Sequence, residues 1–424
     1  MSRINRRFHI ILILASTFNF NLFSQSNTKI YRTDLNEFLE SRYDSQHTFI
    51  HAKNTRHSNI ECDKIGTDDS LMTNVYKPKD FLETILEVIP SETNTIIISE
   101  NHVVYKSRNI LLDFIYLLKE EGYSNIYIEA LDYDKNLTER KYPTVDSGFY
   151  LNEPSMGNLV RELLKEGFNI FPYEQLDFQK RNSEKSVKKH IQQELEKCKI
   201  DRKPINDSQY NMELMDGHLN MSIRDYSQYK NIMQTWDANK KTIILCGHAH
   251  GIKVPYGGWR PLGYWLSSNP NVKLYSIENS QAIGQEEVEL NKLTCFYDQK
   301  EPYYLLSEQD NSIYNEFRYQ PYENKEINGL FDMTLFYPTN YFASEGHAIP
   351  KNENCNDVLI KSSTYKTPYL IIKYLVDEYN AEKEKAIPLD IILIDSDSET
   401  TSIDQCENEI IFIWDGKQKY ELEK

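Results

Sequence analysis

Residues 95–129 decide the fold, because they hold two short apolar runs, Thr95-Ile96-Ile97-Ile98-Ser99 and Asn125-Ile126-Tyr127-Ile128-Glu129. Between these runs, residues 109–121 carry apolar side chains at helical spacing, and Gly122 follows directly. A glycine just past a helix is the usual C-cap. Runs that are apolar on both faces are typical of strands covered on both sides. The stretch therefore predicts a strand–helix–strand unit of a parallel sheet.

The same alternation continues towards the C-terminus. A second helical pattern over 159–166 ends at Gly167 and leads into an apolar run, and two more apolar runs follow the polar, helix-forming region 181–240. These three runs are 168–171, 242–246 and 272–277. We predict an α/β fold with a mostly parallel sheet flanked by helices, and two or more helices within 181–240.

Ionisable side chains follow four of these runs at the point where each predicted strand ends. Ligands of open α/β sheets bind outside the carboxyl ends of the strands, so we expect these side chains to meet at one crevice. They are Glu100, His102, Glu129, Glu174, His248 and His250.

These residue types suit two kinds of chemistry. An imidazole oriented by a carboxylate holds a general base near neutral pH, and Glu with neutral His also binds divalent metals. The sequence contains no Gly-x-Ser-x-Gly elbow, no His-Glu-x-x-His and no phosphate-binding glycine loop. The absence of an obvious nucleophile favours a reaction that uses an activated water.

Three motifs resemble the erythromycin esterase-like superfamily, which also includes haem-uptake lipoproteins and the Tiki/TraB proteins. The motifs are Ser99-Glu100-Asn101-His102 after a strand, Ile126-Tyr127-Ile128-Glu129 on the next strand, and the later Gly247-His248-Ala249-His250. The segment Trp259-Arg260-Pro261-Leu262-Gly263 is similar to the Pro-Leu-Gly segment of the esterase-like branch. The resemblance covers about residues 80–340 and implies a parallel-leaning sheet between helices.

The resemblance also implies roles for the residues at these positions. Its esterase-like members imply that His102 is the base which activates water, with Glu100 and Glu129 lining the catalytic site. Its Tiki-like members imply instead a metal held with paired Gly-x-x-His motifs, for which His102, His250 and Glu100 are the candidates here. Ser99 stands where the family has glycine, and serine has less backbone freedom at a sharp turn.

Other polar residues are candidates for contact with a substrate. His248, His250 and Glu174 are expected to orient it, and Arg108 either binds an anionic group or pairs with a nearby acid. His218, Asn220 and Arg224 lie on the helix predicted before the last site strand, where they either face the site or form a solvated face.

The leading hypothesis is an exported hydrolase that cleaves an ester, lactone or related acyl bond of a small-molecule substrate. One alternative is a haem- or metal-binding uptake protein without catalysis. Another is a divalent metallohydrolase that resembles the Tiki proteins.

The N-terminus has the pattern of a secretory signal peptide. Three arginines lie within residues 3–7, residues 10–23 are mostly apolar, and a small, polar segment follows. A charged start, a short apolar middle and a polar exit are typical of export signals, although a core helix is the alternative. We predict a signal peptide over 1–25, a periplasmic or secreted location, and no integral membrane span in the mature chain.

The remaining domain boundaries follow from changes in polarity and hydrophobic pattern along the sequence. A polar N-terminal arm is predicted over 26–79, the α/β domain over 80–345, and a small α+β region over 346–424. In the last of these, the pattern predicts a helix over 368–382, a strand over 389–394, and a hairpin around Asp415-Gly416.

Composition excludes several classes of protein. The 424 residues include 40% hydrophobic and 26% charged residues, which is ordinary for a globular protein. The net charge of −16, with 48 Lys and Arg against 64 Asp and Glu, repels a nucleic-acid backbone. Six cysteines without a Cys-x-x-Cys motif indicate neither a zinc knuckle nor a thioredoxin site, and leave the disulfide pairing open.

Overall fold

A computed structural model describes a large part of the chain. The described residues are 77–100, 107–129, 131–132, 134, 136–148, 151, 154–174, 193, 208–255, 259–279, 297, 299–306, 319–320, 325–326, 329–338, 355–361, 365, 369–394, 401–414 and 419–422. The predicted signal peptide and almost all of the predicted N-terminal arm lie outside these ranges.

The described residues form strands and helices in an alternating order. The strands are β1 (Lys77–Asp80), β2 (Thr95–Glu100), β3 (Tyr123–Ile128), β4 (Asn169–Pro172), β5 (Lys241–Gly247), β6 (Leu274–Asn279), β7 (Tyr303–Leu306), β8 (Tyr319–Gln320), β9 (Lys325–Glu326), β10 (Met333–Thr334), β11 (Cys355–Ile360), β12 (Tyr369–Leu375), β13 (Asp390–Ile394), β14 (Thr401–Cys406), β15 (Glu409–Trp414) and β16 (Lys419–Glu421). The α-helices are α1 (Phe81–Val88), α2 (Ser107–Glu120), α3 (Leu137–Arg140), α4 (Pro154–Lys165), α5 (Ser208–Thr235), α6 (Leu262–Ser267) and α7 (Val376–Glu382). Short 3₁₀ turns lie at Val145–Ser147, His248–Gly251 and Lys383–Lys385.

A six-stranded sheet forms the centre of the molecule, in the order β10-β6-β2-β5-β3-β4. Every neighbouring pair in this sheet is parallel. Five of the six strands coincide with the apolar runs of the sequence, so the predicted parallel sheet with flanking helices is confirmed.

Successive residues of β2 show why the runs are apolar throughout. Ile96 and Ile98 belong to a core that includes Phe114 of α2 and Leu159 of α4. Ile97 points to the other face, where it belongs to a core with Ile232 of α5. Because side chains alternate along a strand, a strand with helices on both faces needs apolar residues at every position.

The two predicted helix ends are also confirmed. Helix α2 is followed by Gly122 with φ of 89°, and α4 by Gly167 with φ of 74°. Glycine adopts this left-handed conformation without the steric cost that other residues meet. Each turn then leads the chain directly back into the sheet.

Within the predicted helical region 181–240, the structure describes one long helix, α5, of 28 residues. Most of the residues between Glu174 and Ser208 lie outside the described ranges. No described helix is both long enough and apolar enough to cross a membrane.

The C-terminal region forms a separate β-rich unit. An antiparallel sheet in the order β13-β12-β15-β16 packs against the pair β11-β14, and the disulfide Cys355–Cys406 joins that pair. The predicted pairing of the two hairpin strands is confirmed, because β15 pairs with β16 in antiparallel register. The predicted strand over 389–394 corresponds to β13.

The predicted helix over 368–382 is wrong in its first half. Residues 369–375 form β12, one of the two central strands of the C-terminal sheet, and only Val376–Glu382 is helical. The stretch Tyr-Leu-Ile-Ile-Lys-Tyr-Leu is rich in aromatic and β-branched residues, which favour a pleated, buried surface. Six of its seven residues are buried, so packing between two neighbouring strands outweighs its helical spacing.

Candidate functional site

Those predicted ionisable residues whose side chains the structure describes lie at the carboxyl edge of the parallel sheet. Glu129 directly follows β3, Glu174 lies two residues past β4, and Glu100 is the last residue of β2. The 3₁₀ turn His248–Gly251 begins immediately after β5. The strand order places β5 between β2 and β3, so these exits are neighbours.

Arg224 of α5 lies at the centre of the site. Its Nη2 donates to both Glu129 Oε1 and Glu174 Oε2. Its Nη1 lies 2.9 Å from Nε2 of His250. One guanidinium thus gathers side chains from the ends of three strands.

Asp225, the next residue of α5, orients the ring of His250. Asp225 Oδ1 is hydrogen-bonded to His250 Nδ1, and Asp225 Oδ2 accepts from the indole Nε1 of Trp259. The rings of His250 and Trp259 meet edge to face, with centroids 5.3 Å apart. The imidazole is therefore fixed by a hydrogen bond on one side and by an aromatic ring on another.

The contacts of His250 suit one tautomer of its neutral ring. The 2.9 Å contact with Arg224 requires a lone pair on Nε2, because a guanidinium can only donate. The proton of the neutral ring then lies on Nδ1 and is donated to Asp225. A protonated Nε2 would be a donor instead and would no longer suit Arg224; Glu129 Oε1 lies 3.9 Å from it.

Hydrogen bonds from the backbone and from α5 hold the two glutamates. Gly247 N donates to Glu129 Oε2, which links the ends of β3 and β5. Gln228 Nε2 donates to Glu174 Oε2 at 2.8 Å. Arg224 and Gln228 are four residues apart on α5 and therefore share one face of the helix.

The site is buried apart from Arg224. The side chains of Glu129 and Glu174 are 3% and 4% exposed, whereas that of Arg224 is 24% exposed. Burial opposes the charge on Arg224, but the two glutamates outweigh burial and raise the pKa of its guanidinium. A ligand that enters from solvent therefore meets a permanently charged donor first.

Opposing effects set the pKa of His250. Burial disfavours the imidazolium, but the carboxylates of Asp225 and Glu129 outweigh burial and raise the pKa of His250 above 6.5. Burial also raises the pKa of Asp225, although His250 and Arg224 work in the opposite direction. The carboxylate of Asp225 therefore favours the protonated form of His250, relative to a buried imidazole without such a partner.

Two glycines allow the turn after β5 to pack closely. A Cβ on Gly251 would overlap the hydroxyl of Ser99 and approach Phe331 to 3.2 Å. A Cβ on Gly263 of α6 would lie 2.7 Å from the carbonyl oxygen of Ile252. Helix α6 thus rests directly on the backbone that carries His250, which gives the Pro-Leu-Gly segment a packing role.

Ser99 does not lie in the turn. It is within β2, in register with Cys246 on one side and Glu278 on the other. The expected loss of backbone freedom at a sharp turn therefore does not arise, because the serine is in an extended strand.

Glu100 and Arg108 form a buried ion pair. Arg108 Nε lies 2.6 Å from Glu100 Oε2, and its Nη2 lies 3.0 Å from Oε1. Two roles were predicted for Arg108, binding an anionic group or pairing with a nearby acid, and the structure shows the pairing. Since Glu100 ends β2 and Arg108 lies in the first turn of α2, the pair fixes both ends of the segment that contains His102.

The structure brings together Glu129, Glu174, His250 and Arg224 of the predicted residues. Asn220 is exposed on α5. His102 and the side chains of His248 and His218 lie outside the described part of the structure.

Sequence reasoning missed Asp225, Gln228 and Trp259. The available signal was the helical spacing Arg224-Asp225-x-x-Gln228, in which polar side chains face a sheet edge rather than solvent. Asp225 and Gln228 are 0% and 1% exposed, and burial of this kind is not visible in a polar, helix-forming sequence.

The described side chains do not fit a divalent metal. Among them, no group of three His, Cys, Asp or Glu side chains is arranged to hold an ion. Arg224 contacts both glutamates, at the position between carboxylates that a cation needs. The partly exposed guanidinium of Arg224 can donate hydrogen bonds to a ligand.

Comparison with known protein families, with characterised proteins and with solved structures finds no match to this chain.

Proposed function

We propose that this protein is an exported hydrolase, with an erythromycin esterase-like fold, which activates water at a His/Glu site to cleave an ester, lactone or related acyl bond. The observation that carries the proposal is the Asp225–His250 pair next to Arg224 at the carboxyl edge of the sheet. The sequence resemblance supports the same reaction class.

His250 is the described residue best placed to act as the base. With its proton on Nδ1, neutral His250 accepts a proton from water at Nε2 while Asp225 stabilises the imidazolium that forms. The hydroxide attacks the acyl carbon, the carbon–oxygen bond to the leaving group breaks, and the leaving alkoxide takes the proton back from Nε2.

Arg224 provides the counter-charge for this step. Its guanidinium is the partly exposed member of the site and donates to whatever oxygen approaches it. A substrate carbonyl that draws Nη1 away from His250 would free Nε2 for the water and stabilise the developing oxyanion. Glu129 and Glu174 hold Arg224 in place during this exchange.

His102 remains the base that the sequence resemblance predicts. In the sequence, His102 lies between Glu100 and Arg108, which form a buried ion pair. Substitution distinguishes the two imidazoles, because loss of a general base costs about 10²–10⁴ in rate.

The decisive experiment assays purified wild type, His102→Ala and His250→Ala against a panel of activated esters and lactones. We expect the wild type to hydrolyse at least one substrate, and one or both variants to lose at least about a hundredfold in kcat/KM. Ser268→Ala, at an exposed position beyond α6, is the control, and circular dichroism checks the fold of each variant. Full activity in both histidine variants would exclude this mechanism.

Ligand binding without catalysis is the second candidate function. It is favoured by Arg224, whose partly exposed guanidinium can donate to a bound ligand without any base. For a haem-uptake protein, titration with haemin should give a shift of the Soret band that is lost in His250→Ala. No shift, together with hydrolysis by the wild type, would favour the enzyme.

Export is supported by the disulfide Cys355–Cys406 in the C-terminal unit. Disulfides persist in oxidising compartments such as the periplasm or the extracellular space. Expression of the full chain with a C-terminal tag, followed by fractionation, tests export together with removal of residues 1–25.

A further inference from the structure

Arg260 is a completely buried arginine next to the candidate site. It is 0% exposed, and its backbone is fixed at both ends. Arg260 N donates to Ser222 Oγ at 2.9 Å, and its carbonyl oxygen accepts from the indole Nε1 of Trp265 at 3.0 Å. The side chain therefore starts from a rigid position between α5 and α6.

The guanidinium of Arg260 is only partly satisfied. Its Nη1 donates to the carbonyl oxygen of Trp259 at 3.1 Å. Its Cζ atom lies 5.6 Å from the centroid of the Tyr264 ring. Among the residues that the structure describes, Nε and Nη2 find no acceptor, and no carboxylate forms an ion pair with this residue. An arginine cannot lose its charge in a protein, so this charge is buried without a described counter-ion.

Two other buried arginines show what the Nε–Nη2 edge binds in this protein. Arg108 uses that edge to bind both oxygens of Glu100, at 2.6 and 3.0 Å. Arg161 uses it to bind Glu378, with Nε 2.9 Å from Oε1 and Nη2 2.7 Å from Oε2. In Arg260 the same edge has no described partner, although it is the edge that suits a bidentate oxyanion.

Burial of an unpaired charge is strongly unfavourable, whereas a paired and hydrogen-bonded charge is tolerated. A water molecule could accept one hydrogen bond but would not neutralise the guanidinium. A carboxylate or phosphate would satisfy both donors and the charge together. The chemistry of this edge therefore selects an anion.

Arg260 is connected to the site through two short links. Its neighbour Trp259 donates to Asp225, the partner of His250. Ser222, which accepts from Arg260 N, lies three residues before Asp225 on α5. An anion bound at Arg260 would therefore lie next to the residues that orient His250.

We propose that Arg260 binds the anionic group, a carboxylate or a phosphate, of the molecule that this site recognises. The substrate class is then an anionic acyl compound, an assignment that rests on the proposed hydrolase. Since Arg260 has no exposed area, the anion must displace the residues that cover it.

The first test measures anion binding without turnover. The melting temperature of wild type is measured after long incubation in acetate, succinate or phosphate, with chloride at the same ionic strength as reference. We expect at least one of these anions to raise the melting temperature in proportion to the logarithm of its concentration. In Arg260→Met, which keeps the length of the side chain but removes its charge, this rise should be absent.

The melting temperature of Arg260→Met in chloride separates a structural role for Arg260 from the proposed anion site. If the charge is unpaired, Arg260→Met should melt at the same or a higher temperature than wild type in chloride. Arg161→Met is the matched control, because it removes a paired arginine: it should melt lower and keep the rise with anion. No rise in wild type with any of the three anions, or an equal rise in Arg260→Met, overturns the proposal.

The second test separates this proposal from the proposed reaction. Two substrates are compared: an ester that carries a free carboxylate, and the analogue in which that carboxylate is an uncharged methyl ester. Wild type should prefer the anionic substrate by about tenfold or more in kcat/KM. Arg260→Met should lose this preference. An anion-dependent melting temperature in a protein that hydrolyses nothing would support Arg260 as an anion site and count against the hydrolase. Hydrolysis with no preference for the anionic ester would count against Arg260 alone.

Discussion

At the scale of single residues, Asp225 determines how His250 responds to pH. Burial lowers the pKa of His250, and the carboxylate of Asp225 is the largest opposing effect that raises it above 6.5. A base must be neutral to act, so kcat/KM should fall as pH drops through this raised pKa. The acid limb of the pH profile is therefore expected above pH 6.5.

Asp225→Asn should move that limb towards acid. The amide can still accept from Nδ1 but carries no charge, so the pKa of His250 should fall. The rate should also fall, because the NH₂ group of the new amide would face the indole N–H of Trp259, and two donors cannot form a hydrogen bond. Measurement of kcat/KM against pH, with NMR titration of the ¹³C-labelled histidine ring, checks both effects. An unchanged limb, or one that moves towards alkaline pH, contradicts the assignment of His250 as base.

Gly263 is the residue that allows α6 to touch the turn bearing His250. Gly263→Ala would place a methyl group 2.7 Å from the carbonyl oxygen of Ile252, and backbone cannot move aside as a flexible side chain can. We expect the free energy of unfolding to fall by about 2 kcal/mol or more, with a loss of activity because His250 shifts. Urea denaturation measures the first effect, and Ser268→Ala should change neither.

Single residues of the site were predictable where a strand positions them. Glu129, Glu174 and His250 follow strands that the sequence reveals by their apolar runs, so their common edge could be predicted. Asp225 lies on a helix whose buried and solvated faces look alike in a polar sequence, and its role depends on a histidine 25 residues away. No local pattern reports such a pairing.

At the scale of elements, α4 joins the α/β domain to the C-terminal unit. Arg161 of α4 donates to Glu378 of α7 through both Nε and Nη2, and also to the carbonyl oxygen of Ile387 at 2.6 Å. Asn158 of α4 donates to the carbonyl oxygen of Leu389 at 3.0 Å. The polar face of one helix thus holds the second unit in place.

Loss of this ion pair should destabilise the protein strongly. Arg161→Met leaves Glu378 as a buried charge without its guanidinium, which is expected to cost about 3 kcal/mol or more. Lys165→Met on the same helix is the control, because the Lys165–Glu162 pair is largely exposed and should contribute less than about 1 kcal/mol. Denaturation in urea compares the two; equal effects would show that the Arg161–Glu378 pair contributes no more than the exposed pair.

Elements were predictable from periodicity where burial is uniform. The strands of the parallel sheet are covered on both faces, so their sequence is apolar throughout and distinct from the helices. Residues 369–375 failed as a prediction because Lys373 and the flanking tyrosines gave them a helical pattern. In the fold, Lys373 is buried and lies 3.3 Å from both Asp404 and Glu409, so a tertiary ion pair places a charge inside a strand.

At the scale of the whole molecule, each unit has hydrophobic cores of its own, although Ile387 of the C-terminal unit belongs to a core of the α/β domain. One pair of cores covers the two faces of the parallel sheet, and another pair lies on the two faces of the C-terminal sheet. The disulfide Cys355–Cys406 belongs to the second unit only. Loss of that bond should therefore act on one unit more than on the other.

The variant Cys355→Ser with Cys406→Ser tests this division. The disulfide closes a loop over a sequence separation of 51 residues, and its loss should cost about 4 kcal/mol by the loop-entropy relation. Hydrogen exchange read by mass spectrometry should speed up in β12 and β15, while amides of β2 and β5 keep the protection of wild type. Cys246→Ala, in the core of the α/β domain, is the converse control and should loosen β5 rather than β12. Equal loss of protection in both sheets would mean that the two units unfold as one, and that Arg161 couples them more tightly than their separate cores suggest.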